Sequence, residues 1–469
     1  MKKIFLITII LCLSVNVFSQ NITINGHGKD VAGKTIRLSI ITDRLSMLEK
    51  DIEEKAINEN DTNFSFSLTL SSPKEVIIKI DLYDYHFIAK PGQIYNLTVL
   101  PFDFSKDDSL ASFIYKLPLP IVLNQEKDDG INNQILDFDT TFNNFLYSNH
   151  RLLFIKDSSS IASLNNIDSI YSNKYINNQY VLNYIKYSIA DIKYGLNLTS
   201  RKQIKTNLFA NSPILYDNIG YMDCFKTIFS QYFSKGYKFI KRDDLDFWLS
   251  SNNYNALSDA LGRDKILENE IFRELVFLQG MKDAFLVGYF NKESIIKMIN
   301  KFSLQTKFSE NKEIANNLIE YLNNQDNIGK QYKDFTVKDI DNKSVTIKSF
   351  LNKPLILNFV RLSDEASLLE LEAIHYYYDS IKDNCNILTI SCDDNLEQLY
   401  NFLKNNKVGS QYKWNFAHFN KNFSLIDEYK IHFFPTFVLI NKDGSIENNP
   451  MLEPSRGGLI KFIQKKDNK

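Results

Sequence analysis

The 469-residue chain carries 55 Lys and Arg against 56 Asp and Glu, and 44% of its residues are hydrophobic. That length supports two or three cores, and the apolar content is ordinary for a globular protein. A net charge of −1 excludes the strong basic footprint of a nucleic-acid binder or of a protein held on an anionic membrane.

The first residues have a basic start (Lys2, Lys3), an apolar run from Ile4 to Val15 and small or polar residues after it. This is the pattern of a secretory signal peptide over residues 1–19, with cleavage after Val17-Phe18-Ser19. A lipoprotein signal on Cys12 is the rival, disfavoured by Leu11 where a small residue is expected. Processing leaves 53 basic and 56 acidic residues, a net charge of −3. No later run is apolar enough to span a bilayer. Cys224, Cys385 and Cys392 remain, an odd number that argues against a disulfide scaffold in an oxidising compartment. Cys385 and Cys392 flank the apolar run Asn386 to Ser391; if that is a strand they stand roughly 23 Å apart, beyond disulfide reach. All three are read as structural thiols.

Residues 20–104 read as short strands between turns: Asn21–Ile24, Thr35–Ile40, Phe64–Leu70 and Val76–Ile80, with Gly26, Gly28, Gly33, Pro73 and Pro91-Gly92 between them. A β-sandwich-like domain follows from that pattern. Gly26-His27-Gly28 reads as a β-turn, because no helix follows to place a phosphate at its N-terminus. Over residues 105–328 the period becomes helical, as in Ile135, Phe138, Phe142 and Phe145, and in Leu182, Ile185, Ile189 and Ile192. Tyr180, Tyr184 and Tyr187 fall on the opposite side of the second stripe, which predicts a helix buried on two faces. Polar breaks such as Asp157-Ser158-Ser159-Ser160 and Ser250-Ser251-Asn252-Asn253 separate the helices.

Residues 329–469 change pattern again. Asp334–Val337 and Ser344–Ile347 form a predicted hairpin around Asp341-Asn342, followed by a buried strand over Leu355–Val360. A helix with Leu368, Leu371, Ile374, Tyr378 and Ile381 on one face comes next. Strand Ile387–Ile390, a helix with Leu396, Leu399 and Phe402, a strand after Pro435, a turn at Asn441-Lys442-Asp443-Gly444 and a terminal helix near Leu459–Gln464 complete the series.

Lys353-Pro354-Leu355-Ile356-Leu357-Asn358-Phe359 resembles the core strand of TlpA/ResA-type periplasmic thioredoxins, and Phe433-Phe434-Pro435-Thr436-Phe437-Val438 resembles their cis-proline strand. The resemblance covers about 140 residues. The stretch Phe87-Ile88-Ala89-Lys90-Pro91-Gly92-Gln93-Ile94-Tyr95 is similar to the end of the small β domain that precedes such domains in Bacteroidetes envelope proteins. The fold expected is multidomain α+β: an N-terminal β-sandwich-like domain, a central helical domain and a C-terminal α/β thioredoxin-like fold.

A redox thioredoxin needs two cysteines, two residues apart, at a helix start, where the dipole stabilises the attacking thiolate. Aligned on Asn358-Phe359, those positions fall on Asp364 and Ser367, and a peroxiredoxin reading fails for want of the same thiol. Ser363 is the expected helix cap, with Asp364 and Glu365 in the first turn, where the dipole favours negative charge. The sharper alternative is an acid/base pair of Asp364 and Glu365 with His375 or His432. Phe434 and Pro435, with His432 and Phe433 on the rim, are the expected peptide-binding residues, because the family presents an extended backbone there. Simple maintenance of the fold explains Pro435 as well.

His27, His86, His150, His375, His418 and His432 lack the spacing of a zinc site, and no phosphate-binding loop, nucleophile elbow or dinucleotide fingerprint is present. No metal or other cofactor is expected. The resemblance implies an exported, periplasmic or cell-envelope protein, and with no cysteine at Asp364 or Ser367 the expectation is one that binds a protein or peptide without redox activity. The rivals are a thiol-disulfide oxidoreductase or antioxidant acting through Cys392 or Cys385, and a purely structural component of an envelope assembly.

Overall fold

The computed structural model describes residues 19–81, 83–103, 117–124, 130–210, 212–233, 240–287, 290–325, 327–431 and 433–467. The signal-peptide stretch, apart from Ser19, lies outside them. They fall into two compact units, one drawn from Met1–Asp81, Tyr85–Phe102 and Leu119–Val287, the other from Leu82–Asp84, Asp103–Pro118 and Gly288–Lys469.

The N-terminal strands are β1 (Gln20–His27), β2 (Thr35–Ile41), β3 (Glu49–Ala56), β4 (Asn63–Leu70), β5 (Lys74–Ile80), β6 (Tyr83–Ala89), β7 (Ile94–Val99), β8 (Leu117–Pro118) and β9 (Ile121–Asn124). Strands β4-β1-β7-β9 make one sheet, and β3, β2 and β5 neighbour one another in a second. Alternation sets the facing: Ile22, Ile24, Phe64, Phe66 and Leu70 are buried while their neighbours point outward. The expected turn at Gly26-His27-Gly28 is instead the end of β1, where Gly26 pairs with Phe64. A Cβ on Gly26 would sit 1.9 Å from the Phe64 ring, so the aromatic occupies the space a side chain would need. Strand β3, EKDIEEKA, carries no apolar alternation and is invisible to periodicity. It is a charged edge beside β2, of the kind that discourages further strand pairing.

The first unit continues into helices α1 (Ile131–Phe154), α2 (Ser158–Lys174), α3 (Gln179–Gly195), α4 (Ile219–Ile228), α5 (Arg242–Ser250), α6 (Tyr254–Leu261) and α7 (Glu270–Val287). The polar breaks supply their caps: the side chains of Asp157, Asn178, Asn218 and Asn253 accept the N–H of Ser160, Val181, Tyr221 and Ala256. Helix α3 is buried on two faces, as its tyrosines predict. Ile185 and Ile189 pack with Phe138 and Phe142 of α1, while Tyr187 packs edge-on against Tyr221 of α4. Gly220 permits that approach, since a Cβ there would lie 2.6 Å from the Tyr184 carbonyl oxygen.

The second unit holds α8 (Lys292–Gln305) and α9 (Ser309–Gln325), then β10 (Thr336–Lys338), β11 (Ser344–Thr346), β12 (Leu355–Val360), α10 (Glu365–Ile381), β13 (Asn386–Ser391), α11 (Leu396–Asn405), β14 (Asn415–His418), α12 (Phe423–Glu428), β15 (Thr436–Ile440), β16 (Ile446–Asn448) and α13 (Gly458–Asp467). Its sheet has the order β11-β10-β14-β13-β12-β15-β16, with β12, β13 and β14 parallel and β15 antiparallel to β12. The three central parallel strands are almost wholly buried, as sheets covered on both faces require. One face packs Leu357, Phe359, Leu388 and Ile390 with Tyr429; the other packs Ile356 and Val360 with Leu371 and Ile374 of α10 and with Trp414. In the β10–β11 hairpin Asn342 takes φ 61°, and Asp339 accepts the N–H groups of Asp341 and Lys343 at 2.9 and 2.8 Å. That is how Asn342 serves where a glycine is the more usual choice.

Candidate functional site

The carboxyl ends of the parallel strands converge on one edge of the sheet. Val360 pairs with Ser391 and Ser391 with His418, so Arg361, Asp393 and His418 emerge side by side where helix α10 begins. On the other side of β12, Phe359 pairs with Thr436, which sets the cis Phe434–Pro435 peptide next in register, beside Val360 and Arg361. Ligand sites of open α/β sheets form at such an edge.

Helix α10 is capped by Asp364, one residue later than expected of Ser363, which is exposed. The Asp364 carboxylate accepts the Ser367 N–H at 3.2 Å and the Ser367 hydroxyl at 3.0 Å. Moving the cap on by one residue puts Ser367 at the third helical position and turns it fully inward, where its oxygen also accepts the Arg361 N–H at 3.2 Å. Ser363 as cap offers no such closure. Asp364 and Ser367 are thus bonded to each other, and Ser367 to the backbone of the loop between strand and helix.

A second latch, missed in the sequence, holds that loop from the side. Asp393 is 2% exposed, and both its carboxylate oxygens lie 3.0 Å from the Leu362 N–H, with the Ser391 hydroxyl donating at 2.8 Å. His418, also buried, donates from Nε2 to the Asp393 carbonyl at 2.8 Å and accepts the Asn420 N–H at Nδ1 at 3.0 Å. An N–H donated to Nδ1 requires the neutral ring with its proton on Nε2. Burial pushes its pKa below the ordinary value, against the opposing pull of the Asp393 carbonyl and charge. The only sequence signal was a run of polar residues, Ser391-Cys392-Asp393-Asp394, straight after an apolar strand.

Of the histidines expected beside Asp364 and Glu365, His375 stands away from the helix start. Asp364 and His375 are eleven positions apart on the helix, about 16 Å along the axis, and the His375 ring lies tilted against Tyr412 at 5.5 Å between ring centres. His432 lies outside the described residues. Among the expected peptide-binding residues, Phe433 is 52% exposed, Phe434 is partly buried against the core, and Pro435 is buried. The Phe433 carbonyl accepts the Thr436 hydroxyl at 2.6 Å.

Cys224, Cys385 and Cys392 are buried thiols, none of them in a disulfide. Burial, with Asp393 beside it, drives the Cys392 thiol well above its ordinary pKa, and burial raises Cys224 likewise. Neither is poised as a thiolate nucleophile. Among the described residues no group of three or more His, Cys, Asp and Glu is arranged to hold a metal ion, and no helix is long and apolar enough to cross a membrane.

Residues 352–446 match the family described as thioredoxin-like. The thiol-disulfide oxidoreductases ResA of Bacillus cereus and of Bacillus thuringiensis subsp. konkukian are each 26% identical over 140 residues, 29% of this chain and 78% of theirs. Among solved structures, a thiol:disulfide interchange protein from Bacteroides sp. is 21% identical, with 30% of this chain and 91% of that one covered at a TM-score of 0.27. A thioredoxin-like protein from Bacteroides caccae is 15% identical over 52% of this chain and 93% of its own, at a TM-score of 0.33. The segment that builds this strand edge is therefore a thioredoxin-like domain, homologous to thiol-disulfide oxidoreductases of the ResA type.

Proposed function

We propose that the protein is an exported, thioredoxin-like binding module of the cell envelope that has lost electron exchange and engages a protein or peptide at the Phe434–Pro435 loop. The observation that carries this reading is the Asp364–Ser367 pair: the two positions that need sulfur hold a carboxylate and a hydroxyl bonded to each other. Supporting it are the burial of the three described thiols and the exposed Phe433 ring, which offers apolar contact beside the loop. The leader-like first residues support export.

The ResA likeness favours a second reading, a thiol-disulfide oxidoreductase. It would act through Cys392, buried at a strand end with no cysteine two residues away. Insulin reduction separates the two. The expected result is no turnover above that of a Cys392→Ser variant; turnover lost in that variant overturns the proposal. Binding is read by fluorescence anisotropy with labelled, S-carboxymethylated insulin B chain. Saturable binding weakened by Phe433→Ala is the expected result, and binding indifferent to Phe433 removes the loop from the reading.

A further inference from the structure

A cavity of about 560 Å³ lies within the first unit, between β6, β9 and helices α1 and α3. Its walls are largely apolar, with Phe87 and Ile88 from β6, Val122 from β9, and Ile135 and Leu136 from α1. Volume and lining are those of a site for a small organic molecule. Two carboxylates reach it, and they differ. Glu75 is compensated on both oxygens: Oε1 is 2.7 Å from His86 Nδ1 and Oε2 is 2.6 Å from Arg44 Nη1. Among the described residues Asp139 meets only the Tyr184 hydroxyl, at 2.9 and 3.0 Å from its two oxygens, and no Lys or Arg lies within 4.0 Å of it.

Burial raises the Asp139 pKa, and the one hydrogen bond from Tyr184 only offsets this in part. A carboxylate on an apolar wall is costly while uncompensated and gains most from a cation delivered with its own apolar body. An anionic ligand meets repulsion there, and a neutral apolar one leaves the charge as it was.

We propose that this cavity binds an organic ammonium with an apolar body, the ammonium on Asp139 and the body against Ile88, Val122 and Leu136. A free amine and the N-terminus of a peptide that begins with an apolar residue share this chemistry. The site is independent of the thioredoxin-like domain, so its test does not depend on the redox reading.

The test is calorimetric titration of the full-length protein at pH 7.5 with phenethylamine and with phenylalanyl-alanine amide, against 3-phenylpropionate and phenethyl alcohol. At least one amine should saturate the protein, with the anion and the alcohol about tenfold weaker or more. The tighter of the two amines identifies the source. Asp139→Asn, which keeps the shape and the Tyr184 contact, should weaken the amine about tenfold. Leu136 is 64% exposed at the rim, so Leu136→Arg leaves the core intact and should abolish binding by placing a guanidinium near Asp139. Absence of saturation by both amines, equal binding of 3-phenylpropionate, or affinity unchanged in both folded variants overturns the proposal.

Discussion

The loop between β12 and α10 is held by bonds whose removal has a calculable signature. Asp364→Ala deletes the cap, at a cost of about 1 kcal/mol, together with the acceptor for the Ser367 hydroxyl. Ser367→Ala deletes the donor of that second bond and takes from the half-buried Arg361 N–H its acceptor, about 1–3 kcal/mol. The hydroxyl–carboxylate bond is counted in both single variants, so the double variant should lose about 0.5–1.5 kcal/mol less than the sum. The chain has two tryptophans, Trp248 in the first unit and Trp414 in the second, buried in the core beneath α10. In a Trp248→Phe background, urea unfolding followed by Trp414 fluorescence reports the second unit alone, as two units do not share one transition. A coupling indistinguishable from zero, or a Ser367→Ala cost below about 0.5 kcal/mol, refutes the claim that these two residues lock the loop.

Three further outcomes follow from the packing around these elements. His418 is neutral when folded with a depressed pKa, so the unfolded chain binds more protons; stability of the second unit is fully present above about pH 6.5 and falls as the pH drops below it. His418→Gln should flatten the Trp414-reported loss between pH 7.5 and 5, and an unaltered slope would place the titration elsewhere. Asn358 is fully buried on β12, and its amide nitrogen and oxygen have no hydrogen-bond partner among the described residues; Asn358→Val should stabilise the unit by about 1–3 kcal/mol in the same urea assay, and destabilisation contradicts it. Gly220→Ala drives a methyl into the Tyr184 backbone, 2.6 Å from its oxygen and 2.9 Å from its Cα. It should cost about 1–3 kcal/mol in calorimetric melting of the first unit, and an unchanged melting temperature would mean that α3 and α4 separate freely.

Much of the fold was legible because burial writes a period into the chain. Ile22, Ile24, Phe64 and Phe66 alternate, the stripes of α1 and α3 repeat every three or four residues, and Leu355–Val360 is unbroken because both faces of β12 are covered. Where burial leaves no mark, nothing could be read: β3 is a charged edge, and Gly26 looks like a turn until Phe64 is seen lying across it.

The candidate site divides along the same line. The chain itself fixes the residue types at the helix start: Asp364 and Ser367 are not cysteines, and no two cysteines stand two residues apart. It determined that a proline follows Phe434, and that Cys385 and Cys392 flank one strand. Tertiary structure alone decided that Asp364 rather than Ser363 caps α10, and that Asp393 and His418, 31 and 56 residues beyond Leu362, close over the same loop. It alone set Asp139 on a largely apolar wall where, among the described residues, no Lys or Arg pairs with it. Hydrogen bonds and charge compensation depend on distances of about 3 Å between residues remote in the chain, and only packing of the sheet and helices sets those distances.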